Sequence, residues 1–410
     1  MHIHFFTTGD FREGNGANSR FICYGKGLKK QGVNHTFHFI LPSEFNDNGI
    51  NSDSKGIHEG IEFNYLCGRV IRSKRFFGRF KMLILSWVNA YKLLFTINRT
   101  ENIMYFYGPQ ALIAGPIILY SKALGFKVVI EKTEFHSLAQ GEGSGFKYWI
   151  SKGAYRLIEK NLSYLCDRVI VISRRLKKYY SQRVPTEKIS LLPVIYDPSR
   201  FGVKYNLRTN TIGYIGSFGY KDGVPQIIEA FSKALKQNAK LKLRLIGYQN
   251  KSFDLNACLA KNGLSHQHPN IEITGQVYAK DIPALLGECD LLLMNRLNNP
   301  YANYGFPTKL AEYLATGRPV ISTNVTDIDY YFTNGLDMKI IEAENVSQLA
   351  EAILERYNNY DLWSEMGLEG QKTGYRLFNY TRHTEFMCQI FNDLVKNKKP
   401  TRSESVLVGE

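Results

Sequence analysis

Short apolar runs alternate with longer stretches of helical periodicity along almost the whole chain. In the first half, the runs at 3–6, 36–41, 62–66, 104–107, 127–131 and 168–172 read as strands. In the second half, those at 211–215, 242–246, 271–274, 291–294, 319–322 and 338–341 do so. Strands interleaved with helices build parallel sheets from βαβ units. The rhythm starts twice, and the break falls near Leu192-Pro-Val-Ile-Tyr-Asp-Pro198, where a Pro-bounded segment precedes a polar stretch. The pattern predicts an α/β protein of two Rossmann-like, doubly wound domains, 1–195 and 196–375, followed by a segment at 376–397 and a loose polar tail at 398–410. Ligands of such sheets bind outside the carboxyl ends of the strands, so two facing domains would place a cleft between them. A length of 410 residues with 44% hydrophobic content suits two cores.

One block carries more chemistry than any other: Asn303-Tyr-Gly-Phe-Pro-Thr-Lys-Leu-Ala-Glu-Tyr-Leu-Ala-Thr-Gly-Arg-Pro-Val-Ile321. Pro307 suits the first position of a helix and Gly317 the residue after its last. The amides from Gly305 and Phe306 to Thr308 and Lys309 would then be free donors at a positive dipole end, with the Lys309 ammonium nearby, which suits a diphosphate. Thr308 and Glu312 share one helix face, and Glu312 lies about 6 Å further along, where ribose hydroxyls would sit. The plainer alternative is an amphipathic helix with a solvated Glu312.

The same block resembles the donor-site signature of GT-B glycosyltransferases, specifically the retaining enzymes of glycosyltransferase family 4. Asp167-Arg-Val-Ile-Val-Ile-Ser173, Lys188-Ile-Ser-Leu-Leu-Pro193, Gly213-Tyr-Ile-Gly-Ser217 with Lys221-Asp-Gly-Val224, Leu245-Ile-Gly247 and Ile273-Thr-Gly-Gln-Val277 resemble further landmarks in family order. The resemblance implies a GT-B fold with a central cleft and a last helix crossing back onto the first domain. It makes Glu312 the ribose ligand and Lys221 the cation that neutralises the departing diphosphate. Two positions depart from the family pattern: Tyr304 stands where an acid often lies eight residues before the ribose-binding Glu, and Ser217 where an Arg often lies. Arg296 or Lys309 is then the candidate for the second cation; one such preorganised charge is worth roughly 3 kcal/mol in a transition state.

Other candidates follow from position. Gly14-Asn-Gly-Ala-Asn-Ser-Arg20 follows the first strand and opens a helix, and its glycines allow backbone close to a ligand; the resemblance implies that this loop lies against the donor phosphate or the acceptor, which makes Gly16 and Arg20 donor-binding candidates. Glu131, Glu134 and His136 cluster at a strand end in the first domain; the resemblance implies that Glu134 or His136 supports the anomeric centre. A glycosidase pair would need a set separation that this spacing does not establish. Gly247, Tyr248, Val277 and Tyr278 follow second-domain strands, where the nucleobase would lie. Asp327-Ile-Asp329 is the only DxD spelling and sits late in the chain, so lysines and helix amides are expected to do the charge work without a metal or other cofactor.

Charge adds a second theme. The net charge is +15, which calls for polyanionic partners. No Asp or Glu lies between Phe63 and Thr100, whereas Arg69, Arg72, Lys74, Arg75, Arg79, Lys81, Lys92 and Arg99 do. Phe76, Phe80, Leu83, Trp87 and Leu94 add apolar positions at helical spacing. Residues 69–95 therefore read either as a helix packed on a sheet or as a contact for an anionic membrane surface. No nucleic-acid-binding module accompanies the charge. Residues 103–124 are broken by Gly108-Pro109 and Gly115-Pro116, against a spanning helix. Six cysteines without CxxC pairs and an N-terminus that runs straight into a strand predict a cytoplasmic protein, peripheral at most to the inner membrane face.

The expectation is a retaining transferase of a hexosyl type that takes a UDP or GDP sugar to a glycan or lipid-linked glycan. The rivals are a GT-B epimerase, which would need no acceptor, a phosphorylase, and a degenerate scaffold or glycan-binding protein.

Overall fold

The computed structural model describes residues 1–8, 11, 16–42, 53–108, 111–134, 161–202, 208–219, 222–250, 253–398 and 404. Two compact units emerge: Met1–Ile195 with Tyr380–Val408, and Tyr196–Asn379.

The first unit is built on an eight-stranded sheet. Its strands are β1 (His2–Thr7), β2 (Asn34–Phe39), β3 (Lys55–His58), β4 (Ile61–Tyr65), β5 (Asn102–Tyr107), β6 (Lys127–Lys132), β7 (Arg168–Val171) and β8 (Ile189–Leu191), in spatial order β3-β4-β2-β1-β5-β6-β7-β8. All neighbours run parallel except β3, an edge strand antiparallel to β4. The middle strands are near-continuous apolar runs because helices cover both faces of a parallel sheet. On one face, helix α1 (Gly16–Lys30) packs with the helix Tyr380–Val395. Gly27 permits this approach: a β-carbon there would run into the Thr384 side chain. The core joins Phe5, Tyr24, Phe37 and Tyr105 to Met387 and Phe391. Helices α2 (Phe76–Thr96) and α3 (Ala111–Ala123) pack against each other.

The second unit contains β9 (Thr211–Phe218), β10 (Lys242–Gln249), β11 (Ile271–Ile273), β12 (Leu291–Met294), β13 (Val320–Thr323) and β14 (Lys339–Ile341). Their order is β11-β10-β9-β12-β13-β14, all parallel. Counted within the unit, this is the doubly wound order 3-2-1-4-5-6, with its switch point between β9 and β12. Ligands of such sheets bind in the crevice beyond those two strand ends.

All twelve strands read from the sequence are present, with ends displaced by up to three residues. Two were not anticipated: β3, which is short and exposed, and β8, which lies inside a stretch read only as a motif. No helix among the described residues is long and apolar enough to cross a membrane.

Candidate functional site

The switch point of the second unit gathers charge. β9 ends at Ser217 and Phe218, and the turn beyond carries Asp222 and Gly223 into the helix Val224–Leu235. From the end of β12, the Asn295 side-chain amide donates to the Gly223 carbonyl at 2.9 Å, tying the two exits together. The neighbouring Arg296 has its backbone N–H on Thr323 Oγ1 at 2.9 Å.

Asp222 lies between two cations. Lys309 Nζ donates to Asp222 Oδ2 at 2.7 Å and to the Tyr214 hydroxyl at 3.2 Å, and Arg296 Nε lies 3.5 Å from Asp222 Oδ1. The Tyr214 hydroxyl in turn donates to Asp222 at 3.0 Å. Their side chains are mostly enclosed, at 10% exposure for Asp222, 16% for Lys309 and 11% for Arg296. One carboxylate facing two cations leaves a net positive charge, and Arg296 Nε has no hydrogen-bond partner among the described residues. An enclosed donor left without a hydrogen bond is costly unless an acceptor fills its site. Burial lowers the Lys309 pKa, against the attraction of Asp222. Gly216, at φ +148°, makes the room: a β-carbon there would lie 2.6 Å from Lys309 Nζ.

The helix carrying Lys309 spans Thr308–Ala315. It starts one residue later than the sequence predicted, because Pro307 takes an extended conformation (φ −71°, ψ 105°) and flanks the helix instead of opening it. Thr316 closes it and Gly317 follows in the left-handed region at φ +70°. The first-turn amides of Thr308 and Lys309 thus sit beside the cation cluster, with the dipole adding to its field. Phe306 is buried against Tyr331 and Phe378, and the Gly305 carbonyl accepts from Thr326 Oγ1 at 2.6 Å, so these two residues and Pro307 shape the backbone and offer no side chain to a ligand. One turn on, the Tyr313 hydroxyl accepts from the Ile215 amide at 2.8 Å and fastens the helix to β9.

Glu312 faces Arg200. Arg200 Nη1 donates to Glu312 Oε1 at 3.1 Å, while Nη2 donates to the Ala279 carbonyl at 2.7 Å. Burial raises the Glu312 pKa, opposed by Arg200. Arg200 therefore joins the carboxylate to the segment that holds Val277, half-buried, and Tyr278, exposed like Tyr248. Gly247 donates its amide to Thr274 Oγ1 at 3.3 Å, and Ser217 is exposed.

In the first unit the sequence-based assignment of Arg20 needs correction. Its guanidinium is enclosed and committed: Nε and Nη2 each meet Glu131 Oε1 at 2.7 Å, and Nη1 donates to the Pro193 carbonyl at 2.7 Å. Tyr24 and Tyr105 also donate to Glu131. A donor already spent on buried acceptors is a structural one. Gly16 opens α1, and Glu134 is half-buried two residues beyond β6. Lys221 and His136 lie outside the described residues. Among the described residues, no group of His, Cys, Asp and Glu is arranged to hold a metal ion.

Sequence reasoning missed Asp222, Tyr214, Asn295 and Arg200. Asp222 was in view inside Lys221-Asp-Gly-Val224, but its partner Lys309 is 87 positions away, and no local pattern pairs them.

Residues 209–359, within the second unit, match the family model described as glycosyl transferases group 1. An uncharacterized glycosyltransferase of Methanocaldococcus jannaschii is 26% identical over 229 residues, 56% of this chain and 60% of that relative, so the match spans under two thirds of the relative's length. The capsular polysaccharide biosynthesis glycosyltransferase CapM of Staphylococcus aureus is 25% identical over 273 residues, 62% of this chain and 68% of CapM. Among solved structures, HepE of Anabaena in complex with UDP-glucose superimposes with a TM-score of 0.72 at 12% identity, covering 95% of this chain and 99% of HepE. The fold is therefore GT-B, and the sequence matches are to glycosyltransferases.

Proposed function

We propose that the protein is a retaining glycosyltransferase of family 4 that moves a hexosyl group from a nucleoside diphosphate sugar to a hydroxyl of a glycan or lipid-linked glycan. The observation that carries this reading is the convergence of Lys309 and Arg296 on Asp222 at the N-terminus of the helix Thr308–Ala315. A diphosphate seated on the first-turn amides would meet both cations, and Arg296 Nε, which has only the 3.5 Å ion pair to Asp222, would gain a hydrogen-bond acceptor. Asp222 holds the two cations in place while no anion is bound. Glu312 accepts from the ribose hydroxyls, oriented by Arg200, which also reaches the Ala279 carbonyl beside the proposed base site.

In the step itself the bond from the anomeric carbon to the diphosphate oxygen breaks, and the acceptor oxygen bonds the same face of that carbon. The acceptor proton passes to the departing phosphate oxygen. Negative charge grows on that oxygen as the bond breaks, so fixed cations and helix amides stabilise the transition state more than the bound donor. Lys221 is proposed as a further cation, and Glu134 or His136 as the support for positive charge on the sugar. This chemistry is expected to proceed without a metal ion.

UDP is favoured as the carrier by the UDP-glucose complex of HepE, and polysaccharide synthesis as the setting by the likeness to CapM, a capsular polysaccharide biosynthesis glycosyltransferase. We infer a cytoplasmic protein, peripheral to the inner face of a membrane where a lipid-linked acceptor would be displayed. The test is acceptor-dependent release of nucleoside diphosphate from a panel of donor sugars, for the native protein and Lys309→Ala. Release that requires acceptor and falls at least ~10-fold in the variant is expected. Turnover of donor without acceptor, giving an epimerised sugar, would replace the transferase with an epimerase.

A further inference from the structure

Helix α2 is inside out. Its 21 residues bury only Met82, Ser86, Ala90 and Leu94, a narrow stripe at four-residue spacing in which two side chains are small. Its bulk faces outward: Phe77 is 83% exposed, Phe80 51%, Ile84 41% and Phe95 79%. On the neighbouring helix α3, Leu112 and Leu119 are 61% and 52% exposed. A helix of a water-soluble domain turns its large apolar side to the core and its polar side to water. Here polar contacts hold the flanks of the helix, with Trp87 Nε1 on the Ile113 carbonyl and Asn89 Nδ2 on the Leu66 carbonyl, both at 2.8 Å. Exposed apolar bulk gathered on two helices that pack together marks a site that something covers.

Charge says what covers it. Lys81 and Lys92 are exposed and fall on the same turns as Phe77, Ile84 and Phe95, and Lys74 and Arg75 precede the helix, also exposed. No acidic residue lies between Phe63 and Thr100 to balance them. Pairing with a second copy would set these cations against themselves. An aromatic face interleaved with lysines, whose stems lie along apolar surface while their ammonium groups reach outward, suits a layer with an apolar interior and anionic headgroups. Each cation near such a surface adds attraction to it that falls with salt. At 21 residues α2 is about 32 Å long and would lie in the interface plane.

We propose that the outer face of α2, continued by Leu112 and Leu119 of α3, is a docking surface for an anionic lipid bilayer. This assigns the surface by which the first unit reaches a membrane, and it rests on the burial and charge of α2, not on the donor site.

The experiment is co-sedimentation of the full chain with vesicles of phosphatidylcholine alone and of phosphatidylcholine mixed with phosphatidylglycerol. Binding to the mixed vesicles, weakened by salt and little seen with phosphatidylcholine, is expected. The triple variant Phe77→Ser, Phe80→Ser, Phe95→Ser should lose at least ~10-fold in partition while keeping its melting temperature, because these side chains make few folded-state contacts. Lys74→Gln with Arg75→Gln should remove the preference for phosphatidylglycerol. No sedimentation with either vesicle, or unchanged partition of the triple variant, would overturn the proposal. So would a concentration-dependent dimer abolished by that variant, since it would assign the face to a second copy. Vesicle binding by a chain that binds no nucleotide would sustain this proposal and sink the transferase reading.

Discussion

Two arginine–glutamate pairs, one in each unit, look alike in chemistry and differ in everything around them. Arg20 and Glu131 meet at 2.7 Å with side chains 3% and 1% exposed, and two tyrosines and two carbonyls take up further bonding capacity. Arg200 and Glu312 meet at 3.1 Å with side chains 25% and 18% exposed, through a single bond to one carboxylate oxygen. A sealed, saturated pair has nothing left to offer a ligand, and its loss falls on stability. A partly open pair with spare acceptor capacity on Glu312 can exchange its partner for a ribose hydroxyl, and its loss falls on binding. Charge near the ends of strands is therefore poor evidence for a ligand until its own bonding is counted.

The largest expected effect tests the sealed pair. Glu131→Gln leaves Arg20 buried beside a neutral partner and should cost about 3–5 kcal/mol, read by urea denaturation. Glu312→Gln should cost under about 1 kcal/mol by the same measurement, since its pair is partly screened. Equal losses would erase the distinction.

Acid sharpens the contrast between the units. The first unit stacks His2 on His4 and bonds His4 Nδ1 to His38 Nε2 at 3.0 Å, facing Asn102, Thr36 and Glu62. Burial lowers all three histidine pKa values, His4 to about 4. A histidine depressed in the folded state contributes stability that is present above its ordinary value of 6.5 and lost as pH falls toward the depressed one. For His4 alone this is of order 3 kcal/mol. Hydrogen exchange should show β1 and β2 losing protection between these values before β9 and β10 do.

Next comes ligand affinity. Lys309→Ala should weaken nucleoside diphosphate binding by ~10- to 100-fold, and Arg200→Ala by several-fold, both by calorimetry. The smallest effect is a pH slope at Glu312, whose pKa burial raises above 4.5. A carboxyl raised in the folded state contributes stability that is complete below its ordinary value and lost as pH rises through the raised one. Glu312→Gln should therefore gain on the native protein as pH rises through that window, by urea denaturation at stepped pH.

Much of this was legible before any coordinates. Central strands of a parallel sheet are apolar on both faces, so runs such as Leu291–Met294 stand out without partners. The helix of Lys309 and Glu312 was legible because Pro307 and Gly317 bracket it, although the backbone sets Pro307 just outside. Arg20 misled because its loop position is local information, while its burial depends on Glu131, 111 positions away. Asp222 and Arg200 escaped for the same reason, as their meaning lies in what they face. The basic stretch 69–95 was legible in charge, but only the structure shows that its bulky residues point outward.

The most direct test of the account is calorimetric titration of UDP, GDP and ADP into the native protein, Glu312→Ala and Glu131→Gln without added metal. The account predicts that one nucleotide binds, that Glu312→Ala weakens it by at least ~10-fold without loss of fold, and that any folded Glu131→Gln binds it as the native protein does. Absence of binding by all three nucleotides, or equal binding by the native protein and Glu312→Ala, would contradict it.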